Sequence, residues 1–199
     1  MIRYLIKKIL RNINQLRFRN KAIFLGKVNL SSLNSMILLD ESKKEDIILN
    51  DRCVIFGTIS SFNRGKIEFA ENVQIGPKTI VGAVNSIKIG KGTVISNNVM
   101  IIDNNNHPIN PEDRIQMQNS PVGSDLRKWK NSVSKPIVIG ENVWIGQFAR
   151  INKGVTVGNN SIIGANSVVT KNVPENAIAA GNPARIVKEN IQNEPRLIF

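Results

Sequence analysis

The chain has 199 residues, of which 41% are hydrophobic and 5% aromatic, so one domain with a modest core is expected. Its single cysteine, Cys53, excludes an intrachain disulfide, and no apolar run approaches the roughly 20 residues that a membrane span needs. The net charge is +12, but the repeated part of the chain lacks a basic-aromatic stripe, which argues against nucleic-acid binding.

The first segment, residues 1–46, is predicted to form an amphipathic helix over residues 2–16 followed by an irregular cap. Residues 1–27 carry eight Lys or Arg and no acidic residue. Two interpretations stay open. The helix covers the end of the repeat domain or a neighbouring subunit, or residues 1–18 contact the anionic inner face of a membrane. Salt-sensitive binding to anionic liposomes would separate the two.

A repeat of six residues, called the six-residue beat below, dominates residues 47–182. Aliphatic residues followed directly by glycine recur on this beat, as at Ile139, Ile145, Val157 and Ile163. An α-helix repeats at about 3.6 residues and a strand at two, so neither explains the beat. The pattern is typical of a hexapeptide-repeat β-helix, in which each hexapeptide forms a short strand and a corner, and three hexapeptides close one triangular coil.

Five coils can be written out from this beat. Each coil has three inward positions, and the residue two places earlier also points inward because alternate strand residues share a face. Cys53 falls on such a position and is therefore predicted to be a small core residue. Ser61 alone is neither aliphatic nor Phe among the main inward positions, which are 49, 55, 61, 69, 75, 81, 89, 95, 101, 139, 145, 151, 157, 163 and 169.

The departures from the beat line up along one edge. The first three coils repeat at 20 residues rather than 18, and each extra pair follows the last inward position of its coil. The gap from Ile101 to Ile139 is 38 residues, so an excursion loop over about residues 103–136 leaves from the same corner. We expect a functional site at this edge. A short C-terminal helix over residues 183–193 is predicted to end the fold, within a tail of residues 183–199.

His107, the only histidine, lies in this excursion, six residues beyond an inward position. An imidazole accepts a proton from an alcohol near neutral pH, which makes His107 the candidate general base. Asp103 either orients the ring and stabilises its charged form, or caps the turn through its side chain. One histidine and one buried cysteine cannot supply the three or four ligands of a zinc site, so no metal is predicted.

Three stretches of the chain, residues 139–146, 155–171 and 179–185, closely resemble the hexapeptide acyltransferases. The nearest groups are the galactoside, maltose and polysaccharide O-acetyltransferases. The resemblance implies an all-β fold, the left-handed parallel β-helix, and a parallel homotrimer with active sites in clefts between neighbouring subunits. The loop from Asp103 to His107 is similar to the histidine loop of members that modify glycans.

The resemblance also implies which residues bind the two substrates. Acetyl-CoA would lie along the C-terminal coils, where a small residue admits the ligand and cations meet its phosphates. Carried over by position, the CoA contacts are Gln147, Ala165, Thr170, Lys171, Arg185 and Lys188. The carbohydrate acceptor would contact Asn85, Asn105 and Trp144.

The chain departs from the galactoside enzymes near the acceptor. Their sugar-contacting asparagine falls near Gly82 here, and the excursion is longer and contains Arg114, Arg127, Lys128 and Trp129. These differences favour an acceptor other than a simple galactoside.

The sequence therefore predicts a cytoplasmic acetyl-CoA-dependent O-acetyltransferase, which is peripheral at the inner membrane if residues 1–18 contact lipid. The acceptor would be a sugar hydroxyl of a surface polysaccharide or its precursor, with direct transfer and His107 as base. One alternative is N-acetylation of an amino-sugar nucleotide, which a comparison of amino and hydroxy acceptors would reveal. Another is a non-catalytic trimeric scaffold, which would be expected to lack the histidine or the phosphate-binding cations.

Overall fold

The computed structural model describes residues 15–31 and 35–198, and this part of the chain contains 20 short strands, most of which form a parallel β-helix. The first 18 strands make six coils of three strands each. These coils are β1 (Ile23–Phe24), β2 (Asn29–Leu30) and β3 (Ser35–Leu39); β4 (Ile47–Leu49), β5 (Val54–Ile55) and β6 (Thr58–Phe62); β7 (Lys66–Phe69), β8 (Gln74–Ile75) and β9 (Ile80–Ala83); β10 (Ser86–Ile89), β11 (Val94–Ile95) and β12 (Met100–Ile102); β13 (Ile137–Ile139), β14 (Trp144–Ile145) and β15 (Arg150–Ile151); and β16 (Thr156–Val157), β17 (Ile162–Ile163) and β18 (Val168–Val169).

Equivalent strands of successive coils pair in parallel and build the three faces of a prism. We call these faces sheet 1 (β1, β4, β7, β10, β13, β16), sheet 2 (β2, β5, β8, β11, β14, β17) and sheet 3 (β3, β6, β9, β12, β15, β18). The registers place like positions of the repeat on top of each other, as in the column Ile47, Ile67, Ile87 and Ile137.

The core fills the prism as the six-residue beat predicts. All 15 main inward positions and the 15 residues two places before them are buried, and none exposes more than 2% of its surface. Burying a large aliphatic side chain contributes about 1.5–3 kcal/mol. The inward hydroxyls are hydrogen-bonded: Thr79 Oγ1 donates to the Ser96 carbonyl at 2.6 Å and Thr93 Oγ1 to the Gly140 carbonyl at 2.8 Å.

The corners suit asparagine, which adopts a left-handed backbone more readily than most residues. Asn142, Asn160 and Asn176 have φ of 52°, 59° and 54°. Their side chains also form a ladder, because Asn142 Nδ2 donates to Asn160 Oδ1 at 3.1 Å and Asn160 Nδ2 to Asn176 Oδ1 at 3.0 Å. At Gly90 a Cβ atom would lie 2.5 Å from the backbone of Gly140, so the stacking of coils requires glycine there.

The prediction of an irregular segment over residues 20–46 is wrong. β1, β2 and β3 form a further coil that pairs in parallel with β4, β5 and β6. The pairing uses main-chain groups, such as the Leu25 N–H that donates to the Leu49 carbonyl at 2.9 Å. Because the edge of a sheet offers these groups to any strand, the first coil forms without the regular beat of the later ones.

The helix predicted over residues 2–16, with its proposed membrane contact, lies almost wholly outside the described residues. Residues 15–18 are helical, and Phe18 at their end is buried in the core. A deletion of residues 1–18 would remove this core side chain, so it would not test membrane contact separately from stability. No helix in the described ranges combines the length and apolarity needed to cross a bilayer.

The predicted C-terminal helix over residues 183–193 is also wrong. The chain there forms β19 (Ile178–Gly181) and β20 (Ala184–Lys188), an antiparallel pair, followed by a single 3-10 turn at Ile191–Asn193. β19 pairs in parallel with β17, so it extends sheet 2. A short isolated helix is only marginally stable, whereas the open edge of sheet 2 offers main-chain hydrogen-bond partners to an added strand.

A buried carboxylate ties the second and third coils together. Asp46 accepts hydrogen bonds at 2.7 Å from the Lys43 N–H and from Arg64 Nε, and at 2.5 Å from Lys66 Nζ. Burial alone would raise the pKa of Asp46, but the hydrogen bonds from Arg64 and Lys66 outweigh it and lower the pKa to about 2. The ionised form is therefore favoured by folding.

Replacing Asp46 should make the protein less stable and less sensitive to acid. A lowered pKa contributes stability above pH 3.8, and this contribution is lost as the pH falls to about 2. Asp46→Asn should lose about 2 kcal/mol at neutral pH, measured by urea unfolding, and should show a shallower fall in stability on acidification. Glu68→Gln, which removes an exposed 3.9 Å pair with Lys88, is the control and should cost little. Equal acid sensitivity in Asp46→Asn and the wild type would contradict this account.

Candidate active site

The excursion leaves and rejoins the prism at one corner, between sheet 3 and sheet 1. After β12, Asn104 and Ser134 form an antiparallel bridge. The Asn105 N–H donates to the Val133 carbonyl at 3.1 Å, and the Lys135 N–H donates to the Asp103 carbonyl at 2.9 Å. Both ends of the excursion are thus held together, and the residues just inside them have defined positions.

The excursion contains a helix that the sequence pattern does not predict. α1 spans Pro111–Asn119, and Asn110 caps its start by accepting the Glu112 N–H at 2.8 Å. Arg127 closes its other end, donating from Nη2 to the Gln118 carbonyl at 2.7 Å and from Nε to the Ser120 carbonyl at 2.9 Å. Arg127 therefore satisfies carbonyls that the helix end leaves free.

The excursion packs back onto sheet 3 through Trp129. The Trp129 ring lies 4.2 Å from the Phe62 ring, and it covers Gly82, where a Cβ atom would lie 3.4 Å from it. Lys128 pairs with Asp40 of the first coil at 3.4 Å. The sugar-contacting asparagine of the galactoside enzymes was expected to fall near Gly82, and here Trp129 covers that region.

His107 is exposed at the start of the excursion. The loop before it is shaped by Asn104, which is buried and whose Oδ1 accepts the Asn106 N–H at 2.7 Å. Asn106 has a left-handed backbone, with φ of 65°. This turn leaves the imidazole of His107 accessible to a ligand.

Asp103 is fully buried, and its carboxylate points across the coils. Its oxygens accept the Val84 N–H at 2.9 Å, the Asn85 N–H at 2.7 Å and the Asn104 side chain at 3.3 Å. Burial raises the pKa of Asp103, and the main-chain donors at Val84 and Asn85 oppose that rise. These contacts favour the capping alternative, but the turn that is capped belongs to the preceding coil and carries Asn85. Orientation of His107 by Asp103 stays a prediction.

Beside the base of the excursion lies a polar cleft of about 160 Å³. We call it the corner cleft, and its lining consists of Asn104, Asn105, Arg150, Asn152 and Lys153. Of these, only Asn105 was predicted from the sequence. The register of β12 and β15, which aligns Met100 with Arg150, explains the proximity of the last three to the loop. The 38-residue gap between Ile101 and Ile139 already implies this register, so the proximity of these residues to the loop could have been predicted from the sequence.

A second cleft, of about 390 Å³, lies on sheet 2. It brings together Trp144, Gln147 and Ala165, three of the predicted substrate contacts. Its floor is backbone, because a Cβ atom at Gly146 would lie 2.6 Å from the Ala165 nitrogen. Trp144 is 55% exposed and offers its ring as a wall.

The remaining predicted contacts are exposed at the C-terminal end of the prism. Thr170 and Lys171 follow β18, and Arg185 lies on β20. Lys188 is paired with Glu194 at 2.6 Å, so its charge already has a partner. None of these four residues lines the cleft on sheet 2. Within residues 15–31 and 35–198, no three His, Cys, Asp or Glu side chains gather as a metal site would need.

One chain does not bring His107 and Trp144 together. His107 follows a strand of sheet 3, whereas Trp144 lies on sheet 2, and the corner cleft and the cleft on sheet 2 share no residue. Of the predicted acceptor contacts, Asn105 lines the corner cleft and Asn85 lies at the same corner, on the turn held by Asp103, whereas Trp144 lies on sheet 2.

Comparison with known proteins identifies the family. Residues 136–171 match the family model "Bacterial transferase hexapeptide (six repeats)". WbbJ of Escherichia coli K12, named as a candidate O-acetyl transferase of lipopolysaccharide biosynthesis, is 34% identical over 71% of this chain and 74% of that protein. The galactoside O-acetyltransferase of the same strain is 40% identical over 60% of this chain, which spans 62% of that protein's length.

Solved structures agree with the sequence relatives. The polySia-specific acetyltransferase NeuO has a TM-score of 0.64 at 27% identity, covering 84% of this chain and 69% of that chain. The chain belongs to the hexapeptide-repeat transferases and is an acyltransferase. Its β-helix is the left-handed form, which confirms the fold expected from the resemblance.

Replacing Asp103 should test its two roles. In Asp103→Ala the two main-chain donors lose a charged acceptor. Each lost hydrogen bond should lower the free energy of unfolding by no more than about 1.5–3 kcal/mol. Asp103→Asn keeps one acceptor and should lose less. Urea unfolding measures both changes. If both variants unfold like the wild type while acetyl transfer falls in parallel, the carboxylate orients His107 rather than capping the turn.

Proposed function

We propose that the protein transfers an acetyl group from acetyl-CoA to a sugar hydroxyl of a surface polysaccharide or its precursor. The observation that carries this proposal is the exposed His107 on a loop pinned to the prism corner. The names of the relatives, an O-acetyl transferase of lipopolysaccharide biosynthesis and a galactoside O-acetyltransferase, support a sugar acceptor.

His107 acts as the general base of a direct transfer. Its imidazole takes the proton of the acceptor hydroxyl as the hydroxyl oxygen attacks the thioester carbonyl. Main-chain N–H groups stabilise the oxyanion that forms. When the tetrahedral intermediate collapses, the imidazolium returns its proton to the departing thiolate. Because the acceptor oxygen attacks the thioester directly, no acyl-enzyme forms, and the only cysteine of the chain is buried in the core and unavailable as a nucleophile.

The cleft on sheet 2 receives acetyl-CoA. Trp144 and Gln147 supply a wall, and the backbone floor and the small Ala165 let an extended chain lie close to the coils. Lys171 and Arg185, exposed beyond the last coil, supply charge for the phosphates. Lys188 contributes less in this proposal, because Glu194 already neutralises it.

The complete site forms between two subunits of a homotrimer. One chain leaves His107 and Trp144 on different faces, so a neighbour's cleft must meet the histidine loop. Exposed apolar residues favour such a contact. On sheet 2, Val94 is paired with Trp144, which is 55% exposed, and Phe148 in the corner after β14 is 56% exposed. We place the enzyme in the cytoplasm, where acetyl-CoA and glycan precursors meet, and peripheral contact with the inner membrane remains part of the proposal.

N-acetylation of an amino-sugar nucleotide is the second candidate function. The N-acyltransferase AntD from Bacillus cereus has a TM-score of 0.66 but is only 19% identical, which shows the fold alone. The named O-acetyltransferases are 34% and 40% identical, so O-transfer is favoured. A scaffold without activity is disfavoured by the exposed histidine and the C-terminal cations.

Removing the imidazole should abolish most activity while leaving binding intact. His107→Ala should lower kcat by about 10²–10⁴-fold, because general base catalysis contributes that much. The affinity for CoA, measured by calorimetry, should change little, since His107 lies outside the cleft on sheet 2. Gln116→Ala, an exposed change on α1, is the matched control. Activity within a few fold of the wild type would remove His107 from the mechanism.

The two C-terminal cations should distinguish the phosphates of CoA. Lys171→Ala combined with Arg185→Ala should weaken acetyl-CoA far more than its dephospho form, if these side chains hold the 3′-phosphate. Calorimetric titration of both ligands measures the difference. Lys27→Ala, which removes a cation near the other end of the chain, serves as control. Equal weakening of both ligands would instead assign the cations to the pyrophosphate.

A further inference from the structure

The corner cleft is cationic and open beside the catalytic loop. Arg150 and Lys153 line it together with the amides of Asn104, Asn105 and Asn152, and no acidic residue lines it. Asn105 lies two residues before His107 in the chain. His107 itself does not line the cleft, so the cleft and the proposed base are connected through the loop that carries both residues.

Arg150 is held in place rather than free in solution. It is half-buried, its Nε donates to Asn152 Oδ1 at 3.0 Å, and its Nη1 lies 3.0 Å from Met100 Sδ. These contacts engage Nε and one N–H of Nη1, and they leave the second N–H of Nη1 and the N–H groups of Nη2, at the end of the guanidinium, for a ligand. A planar donor fixed in this way is suited to two-point binding of a carboxylate or a phosphate.

The charge of the cleft is not compensated within the part of the chain that the structure describes. No carboxylate there lies within 4.0 Å of the Arg150 or Lys153 charge. The nearby Asp103 turns its carboxylate away, toward the main chain of Val84 and Asn85. An anionic ligand would therefore meet an unneutralised positive field at short range.

A third cationic residue, Lys135, contacts the turn that carries Lys153. The side chain of Lys135 lies over Gly154, where a Cβ atom would be 3.1 Å from Lys135 Cδ. The Gly154 N–H also donates to the Lys135 carbonyl at 3.2 Å, which ties the end of the excursion to the turn that carries Lys153. The excursion and the fifth coil thus bring their cations to one corner.

We infer that the corner cleft binds an anionic group, a carboxylate or a phosphate, on the acceptor whose hydroxyl is presented to His107. This inference rests on the proposed acetyl transfer and narrows its acceptor to acidic sugars or sugar phosphates. Arg150 fixes the anion through two hydrogen bonds, Lys153 adds charge, and the asparagine amides contact neighbouring hydroxyls. Binding at this point sets which hydroxyl reaches the imidazole.

The test compares three acceptors with the full-length chain at saturating acetyl-CoA. They are a neutral methyl glucoside, a methyl glucuronide carrying a carboxylate, and glucose 1-phosphate. The wild type should prefer at least one anionic acceptor, and the preferred one identifies the group. In Arg150→Gln, and less strongly in Lys153→Gln, the ratio of kcat/KM for the anionic over the neutral acceptor should fall about 10- to 100-fold. Lys88→Gln, a surface change on sheet 1, is the matched control and should keep the ratio.

A second measurement keeps the inference separate from the proposed reaction. Titration of His107→Ala with methyl glucuronide and glucose 1-phosphate, followed by nuclear magnetic resonance, reports binding without turnover. If the wild type acetylates none of the acceptors but this binding depends on Arg150, the proposed reaction fails and the anion site stands. If binding and the kinetic ratio are both indifferent to Arg150 and Lys153, the inference is wrong. If Arg150→Gln instead loses its oligomeric state, seen by sedimentation velocity, the inference is also overturned, because Arg150 would then bind a neighbouring subunit rather than the acceptor.

Discussion

Each coil of the β-helix rests on its neighbour through main-chain hydrogen bonds, and these bonds place every inward side chain directly over its equivalent. The column of Ile47, Ile67, Ile87 and Ile137 shows the result. A residue added inside a strand would turn all following side chains to the wrong face, so added residues are tolerated only at corners. The 20-residue coils and the long excursion both obey this constraint.

The chemistry of the candidate site depends on the same stacking. The excursion leaves from the end of β12, and the carboxylate of Asp103 reaches across to the corner turn of the coil below. Arg150 comes to the same corner because β15 pairs with β12, although 50 residues separate Arg150 from Met100 in sequence. The loop, the turn that carries Asn85 and the cations are therefore neighbours by register, not by sequence distance.

Two buried carboxylates show how differently the corners are used. Asp46 meets the side chains of Arg64 and Lys66, and its pKa falls to about 2 despite burial. Asp103 meets only neutral donors, and burial raises its pKa. A pair of cations compensates the cost of desolvation at Asp46, whereas neutral N–H groups at Asp103 do so incompletely. At the corner of Asp46 the cations are paired with a carboxylate of the same chain. At the corner beside His107, Arg150 and Lys153 have no such pair among the described residues and are available to a ligand.

The sequence by itself determined the coil frame, the buried positions and the corner from which His107 emerges, because a period of six is read directly from the chain and each repeat is a local unit. It did not reveal β1–β3, α1 or β20. Those elements depend on free sheet edges and on packing, as when Trp129 lies on Phe62. The cationic corner cleft and the separation of His107 from Trp144 were also decided by the tertiary structure, since only stacking brings Arg150 and Lys153 beside Asn105 and sets the two clefts on different faces. Spacing along a chain gives the strands, but the distances between coils are fixed by the hydrogen bonds that join them.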